Sequence, residues 1–189
     1  MTVTDVNVVK SAIFERPDDA NKGTLGSLLC VCGSYGMAGA AVMSAKGALR
    51  TGIGLAKCAL PRSIYPIVAQ TILESVYYPL SENADGRISK VNVPFLVSES
   101  CKSSATLVGC GLGVCDDTLK IVFSLIENST TPLVLDADAL NCVAKQPEIL
   151  LRKKAPIIIT PHPGEMSRLT GLATPLVNAE RERVAIDFA

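Results

Sequence analysis

Neither sign of charge prevails in this chain: eighteen Lys and Arg residues balance eighteen Asp and Glu over 189 residues. The balance excludes the broad positive field that holds a nucleic-acid backbone or an anionic membrane, so any anionic ligand must be held locally. No stretch approaches the roughly 20 uncharged apolar residues of a membrane span. Residues 1–16, interrupted by Asp5, Lys10 and Glu15, lack the apolar core of a secretory signal. A cytoplasmic protein with no nucleic-acid or membrane partner is the expectation. Histidine is almost absent, His162 being the only one. The seven cysteines are odd in number and show no C-x-x-C spacing: Cys30 and Cys32 are a C-x-C pair, and Cys110 and Cys115 lie too far apart. That pattern argues against a structural metal site. Several cysteines sit in apolar runs such as Leu28-Leu29-Cys30-Val31-Cys32, which predicts reduced, buried thiols.

What is present is apolar material, 48% of the residues, enough for one sizeable core in one domain over residues 1–189. Short β-branched or leucine-rich runs alternate with segments of helical period, the sign of βαβ units and a largely parallel sheet. Strands are predicted over 27–31, 54–59, 74–78, 105–108, 133–135 and 157–160. Helices are predicted over 37–50, 62–70, 93–100, 117–127 and 137–144, with another starting near Gly164 and a last one over 175–189. The run Pro156-Ile157-Ile158-Ile159 is apolar on both faces, as befits a strand covered by helices on both sides. The last helix ends without a glycine cap or polar tail, from which the sheet is expected to continue past Ala189.

In an open parallel sheet, ligands bind at the carboxyl ends of the strands, and three regions there have distinctive chemistry. Gly33-Ser34-Tyr35-Gly36-Met37-Ala38-Gly39-Ala40-Ala41 allows sharp turns and close approach to a ligand, and the following helix offers free N–H groups. It is neither a dinucleotide-binding G-x-G-x-x-G nor a P-loop, and a small-residue helix packed tightly on the sheet is the plainer reading. Gly109-Cys110-Gly111-Leu112-Gly113 indicates positive φ or room for a flat group; Asp116 or Asp117 is expected to cap the next helix. The third region pairs Asp136-Ala137-Asp138-Ala139-Leu140-Asn141 with Thr160-Pro161-His162-Pro163-Gly164-Glu165. Asp136, directly after an apolar strand, needs a partner: a ligand, a metal-bound water or a helix N-terminus. Asp138 reads as a cap. His162 is aimed by two flanking prolines, and Glu165 is either functional or a first-turn carboxylate favoured by the helix dipole.

Taken in order, five stretches resemble the ADP/ATP-dependent NAD(P)H-hydrate dehydratases. They are Gly-Ser-x-x-Met-x-Gly-Ala-Ala from Gly33, Ala-Leu-Arg-Thr-Gly-x-Gly-Leu from Ala48, Gly-x-Gly-Leu-Gly from Gly109, Leu-Asp-Ala-Asp-Ala-Leu-Asn from Leu135, and Thr-Pro-His-Pro-Gly-Glu-Met from Thr160. The resemblance implies a ribokinase-like three-layer α/β sandwich with a mostly parallel central sheet and helices on both faces. It also implies a repair reaction on hydrated NADH or NADPH (NADHX or NADPHX). ADP or ATP with Mg²⁺ phosphorylates the added hydroxyl, and loss of phosphate restores the ring, phosphate being a far better leaving group than hydroxide. Carried over residue by residue, Gly39 with Ala40 or Ala41 would line the nicotinamide pocket and Gly111 and Gly113 would flank it. His162 would contact the substrate, Asp136 and Asn141 would support the site, and Glu165 would organise metal-bound water, with no direct protein ligand to the metal. Homo-oligomers, tetramers in the family, and an NAD(P)HX epimerase are the implied partners.

Two departures from the family pattern stand out. Cys110 occupies the place of an expected proline inside the glycine block. The later Gly-Thr-Gly-Asp block, whose aspartate is the family's base, occurs nowhere in the chain, and Lys-Gly appears only at Lys22-Gly23 and Lys46-Gly47. No catalytic residue is therefore assigned within the chain, and the base and the C-terminal part of the fold are expected beyond Ala189. The alternatives are a non-catalytic remnant that binds a nucleotide or builds an oligomer, and another ribokinase-like kinase acting on a small alcohol, against which the Thr-Pro-His-Pro-Gly-Glu block argues.

Overall fold

A computed structural model describes residues 17–21 and 23–189; residues 1–16, read above for a signal, and Lys22 of the first Lys-Gly pair lie outside the described residues. The strands are β1 (Ser27–Val31), β2 (Leu55–Pro61), β3 (Val76–Leu80), β4 (Ala105–Val108), β5 (Leu133–Leu135) and β6 (Ile157–Ile159). They form one parallel six-stranded sheet in the order β3-β2-β1-β4-β5-β6. The helices are α1 (Ala38–Arg50), α2 (Tyr65–Thr71), α3 (Val93–Cys101), α4 (Asp116–Asn128), α5 (Asp138–Val143), α6 (Pro163–Thr170), α7 (Thr174–Ala179) and α8 (Arg181–Phe188).

The alternation of side chains along β1 explains why two helical layers form. Leu29 and Val31 point into one core with residues of β4, β5, α3, α4, α5, α6, α7 and α8. Cys30 and Cys32 point to the opposite face and pack with Ala41 and Ala45 of α1, Cys58 and Leu60 of β2 and Val68 of α2. Each of the two clusters is apolar, so the sheet is buried on both sides over β1 and β2, as parallel sheets require.

Three expectations need correction. Ile158, on the face opposite Ile157 and Ile159, is 59% exposed, because the layer made of α1 and α2 lies over β1 and β2 and does not extend to the edge strand β6. The final charged run forms two helices, not one: Glu180 leaves the helical region at φ −128° and ψ 39°, and its carboxylate pairs with Arg183 at the start of α8. Neither Asp116 nor Asp117 caps α4. Cys115 holds the cap position and both aspartates fall in the first turn, while the Thr118 hydroxyl accepts the Cys115 N–H at 2.9 Å. Pro94 and Pro175 fall in the first turns of α3 and α7, where a missing N–H is harmless.

Candidate functional site at the carboxyl edge of the sheet

The strand order reverses direction between β1 and β4, so the connections leaving these neighbours depart to opposite sides and open a crevice at their carboxyl ends. Both glycine stretches lie there. Gly33 sits at φ +85°, and a Cβ on it would come within 2.7 Å of Ile64 and 3.1 Å of Ala41, so only glycine lets the chain turn beneath α1. Gly109 is tighter: at φ +126°, an added Cβ would lie 1.8 Å from the Asp136 carbonyl oxygen. The two loops are laced together. The Gly33 N–H donates to the Cys110 carbonyl at 2.9 Å, and the buried Ser34 hydroxyl donates to the Gly111 carbonyl at 2.8 Å.

Gly111 is buried, with Ala40 2.7 Å from where its Cβ would stand, and Gly113 donates its N–H to Asp138 at 2.8 Å. Asp138 is thus the first residue of α5 and an acceptor for the neighbouring loop; the cap position itself falls to Ala137, the one non-glycine residue with positive φ (49°) among the described residues. On α1, Gly39 has nothing within 4 Å of a notional Cβ, Ala40 is half-buried, and Ala41 is only 2% exposed, packed in the core. Of these three, Gly39 and Ala40 reach the open side and Ala41 supports them from below.

Asp136 follows β5 and has found partners, as its cost of desolvation demanded. The Thr160 hydroxyl donates to one carboxylate oxygen at 2.7 Å, and the Cys110 thiol donates to the other at 3.2 Å. The end of β5 is thereby joined to the ends of β6 and β4. Asn141 accepts from the Arg168 guanidinium at 3.0 Å and approaches Asp138 at 3.4 Å, which ties α5 to α6.

His162 caps α6. Its Nδ1 accepts the N–H groups of Gly164 and Glu165 at 3.0 and 3.4 Å. Glu165, 5% exposed, returns the contact by accepting the His162 N–H at 2.9 Å, a reciprocal box that satisfies otherwise orphaned donors. With Nδ1 an acceptor, the ring proton is assigned to Nε2, which stands 3.2 Å from the other Glu165 oxygen. The imidazole side chain is 62% exposed and is therefore both fixed and available.

Four of the five family-like stretches meet at this edge. The fifth, Ala48 to Leu55, is the turn from α1 into β2 at the opposite edge, where Gly52 takes φ +93° and the Leu55 N–H bonds to Gly26. The sequence reading passed over residues 82–88, which return across an isolated bridge between Glu82 and Ile88. That return packs Gly86 on Tyr35 and sets the Arg87 side chain against Gly113. Its signal was the turn-forming Asn83-Ala84-Asp85-Gly86. A separate apolar cavity of about 500 Å³ lies along β6, lined by Leu150, Ile157, Met166, Val177 and Phe188 among others; it is a different place from the glycine loops.

The doubly wound sheet, the reversal between β1 and β4 and the loops gathered there define a ribokinase-like α/β protein, and the comparisons carry the assignment to a family. A family model described as NAD(P)H-hydrate dehydratase matches residues 28–189, and the chain belongs to that family. A bifunctional NAD(P)H-hydrate repair enzyme of Thermofilum pendens is 37% identical, over 92% of this chain and 33% of its own length. An ADP-dependent (S)-NAD(P)H-hydrate dehydratase of Neisseria meningitidis is 32% identical, over 88% of this chain and 53% of its own. The crystal structure of the ADP/ATP-dependent NAD(P)H-hydrate dehydratase of Bacillus subtilis, co-crystallised with ATP and Mg²⁺, superposes with a TM-score of 0.76 at 27% identity, over 97% of this chain and 61% of that one. The chain thus spans about a third of the bifunctional relative and just over half of the single-function one.

Proposed function

We propose that this chain, folded as a single domain, supplies the hydrated-nicotinamide side of an ADP- or ATP-dependent NAD(P)H-hydrate dehydratase site. The observation that carries the reading is the meeting of four family-like stretches at one sheet edge, with Asp136 bound to both Thr160 and Cys110. Gly39 and Ala40, held up by Ala41, form one wall for a flat ring; Gly111 and Gly113 form the other, where the absence of side chains leaves space. The exposed imidazole of His162 contacts the substrate, kept in one tautomer and orientation by Glu165. Asp136 and Asn141 hold the loops in register.

Among the described residues, no group of three or more His, Cys, Asp or Glu is placed to hold a metal ion. Magnesium carried on nucleotide phosphates keeps most of its waters; Glu165, 5% exposed and already accepting the His162 N–H, would organise such a water only together with the His162 ring it holds. Nucleotide and magnesium, when bound, supply the phosphoryl group and neutralise the charge that develops on it. The base that takes the substrate's hydroxyl proton is assigned to the Gly-Thr-Gly-Asp block, which this sequence does not contain. The relatives named as bifunctional repair enzymes support a companion repair activity, read here as an NAD(P)HX epimerase, and self-association belongs to the same reading. The seven free thiols, four of them buried, support a reducing, cytoplasmic setting.

The test is recovery of the near-ultraviolet absorbance of NADH from hydrated NADH with Mg²⁺ and ADP or ATP. It is run on this chain alone and on this chain joined to a segment bearing the Gly-Thr-Gly-Asp block. Turnover by the joined protein alone is the expected result. Turnover by this chain alone overturns the placing of the base, and ligand uptake without turnover in both forms replaces the reading with that of a binding remnant.

A further inference from the structure

Cys110 lies inside the second glycine stretch, and its thiol does not stand alone. Cys32, immediately after β1, lies in the buried cluster beneath α1, and Cys110, shortly after β4, packs against that same cluster. The backbone sets the two segments side by side: Val31 pairs with Val108, and Gly33, the residue after Cys32, donates its N–H to the Cys110 carbonyl at 2.9 Å. Cys30 and Cys58 are register partners across β1 and β2, but both are sealed in the core at 2% and 1% exposure. Cys110 is half-exposed while Cys32 is buried behind it, so one thiol of the pair meets solvent and the other waits beneath.

We propose that Cys110 and Cys32 are a peroxide-responsive pair, Cys110 the thiol that reacts with hydrogen peroxide and Cys32 the thiol that resolves it into an intramolecular disulfide. The Cys110 thiolate attacks one peroxide oxygen, the O–O bond breaks, and the departing hydroxide takes up the thiol proton as water. Cys110 is then a sulfenic acid. Cys32 attacks the Cys110 sulfur, the S–S bond forms, the S–O bond breaks, and hydroxide leaves with the Cys32 proton as a second water. One peroxide is reduced to two waters and two thiols are oxidised to one disulfide. The neighbouring Cys32 holds the Cys110 thiol below its ordinary range, against the opposing effects of burial and of Asp136, which helps the first step. Closing the disulfide removes the thiol donor from Asp136 and couples oxidation to the centre of the glycine-loop edge. The modification itself does not depend on the reaction proposed above.

The experiment exposes the chain to hydrogen peroxide, blocks remaining thiols by alkylation and maps peptides by mass spectrometry. The expected product is one cross-link joining the peptides of Cys32 and Cys110, two hydrogens lighter than the sum of its parts and reversed by dithiothreitol. In Cys32→Ala, Cys110 should stop at the sulfenic acid and take up a dimedone label. In Cys110→Ser, a near-isosteric change at a half-exposed loop position, the cross-link should vanish while Cys32 stays a thiol. Circular dichroism of each variant confirms the fold. Cross-links confined to other cysteines, or Cys110 driven to sulfinic acid with Cys32 still reduced in the unsubstituted chain, would overturn the proposal.

Discussion

The His162–Glu165 box shows how one residue serves two ends. Removing the Glu165 carboxylate leaves the His162 N–H without its acceptor in a nearly buried place, a loss of about 1–2 kcal/mol by the usual cost of a cap or an unmet donor. We expect Glu165→Ala to lower the urea midpoint accordingly. Glu165→Gln, which keeps an acceptor, should retain most of that stability yet lose the fixed imidazole and with it substrate affinity. Far from this edge, Glu99 is held below its ordinary value of 4.5 first by the hydrogen bond from Lys102, with Tyr78 and Lys57 adding to the effect. A carboxyl depressed on folding contributes stability above its unfolded value, and the contribution is lost as pH falls through the folded one. Lys102 is well exposed, so Lys102→Ala should cost less than about 1 kcal/mol at neutral pH. Its unfolding curve should merge with that of the parent at pH values below the range where Glu99 titrates. A difference that persists unchanged in acid would show that Lys102 acts through packing, not charge.

At the scale of elements, the two glycines that matter most behave oppositely. Gly109→Ala forces a side chain into the left-handed region and against the Asp136 carbonyl, so a loss of several kcal/mol or failure to fold is expected in thermal melts. Gly39→Ala meets nothing and lies in the first turn of α1, where alanine improves helix propensity by up to about 1 kcal/mol. The melting temperature should hold or rise while binding of hydrated NADH weakens; unchanged binding would remove Gly39 from the pocket wall. The strands and their alternation with helices were legible because short β-branched or leucine-rich runs such as Ile157–Ile159 and Leu133–Leu135 have few other uses in a chain of this period. The cap of α4 was not legible. Capping preference favours Asp116 or Asp117 by their side chains, but the Thr118 hydroxyl, reaching back to Cys115, decided where the turn begins. Nor was it visible that Asp136, Thr160 and Cys110 touch, since that depends on which strands are neighbours, and strand order follows from the direction of each crossover, which local sequence does not state.

The whole molecule is asymmetric across its sheet. At β3, Tyr77 packs against the cluster beneath α1 and α2, whereas at β6 the middle isoleucine faces outward, Ile158 being 59% exposed. An edge strand presents unpaired backbone groups, and an apolar side chain on it makes lateral pairing with a second chain favourable. Self-association of this chain in isolation is therefore expected to run through β6. A single charge should oppose it: Ile158→Lys places an ammonium on the outward face, where it stays solvated, and leaves Ile157 and Ile159 in their contacts with the core. Multi-angle light scattering across a concentration series should show the parent gaining mass and the variant remaining near one chain, with thermal stability changed by no more than about 0.5 kcal/mol for a surface position. If both associate equally, the contact lies elsewhere, and the apolar cavity beside β6 that ends on Phe188 becomes the next surface to alter.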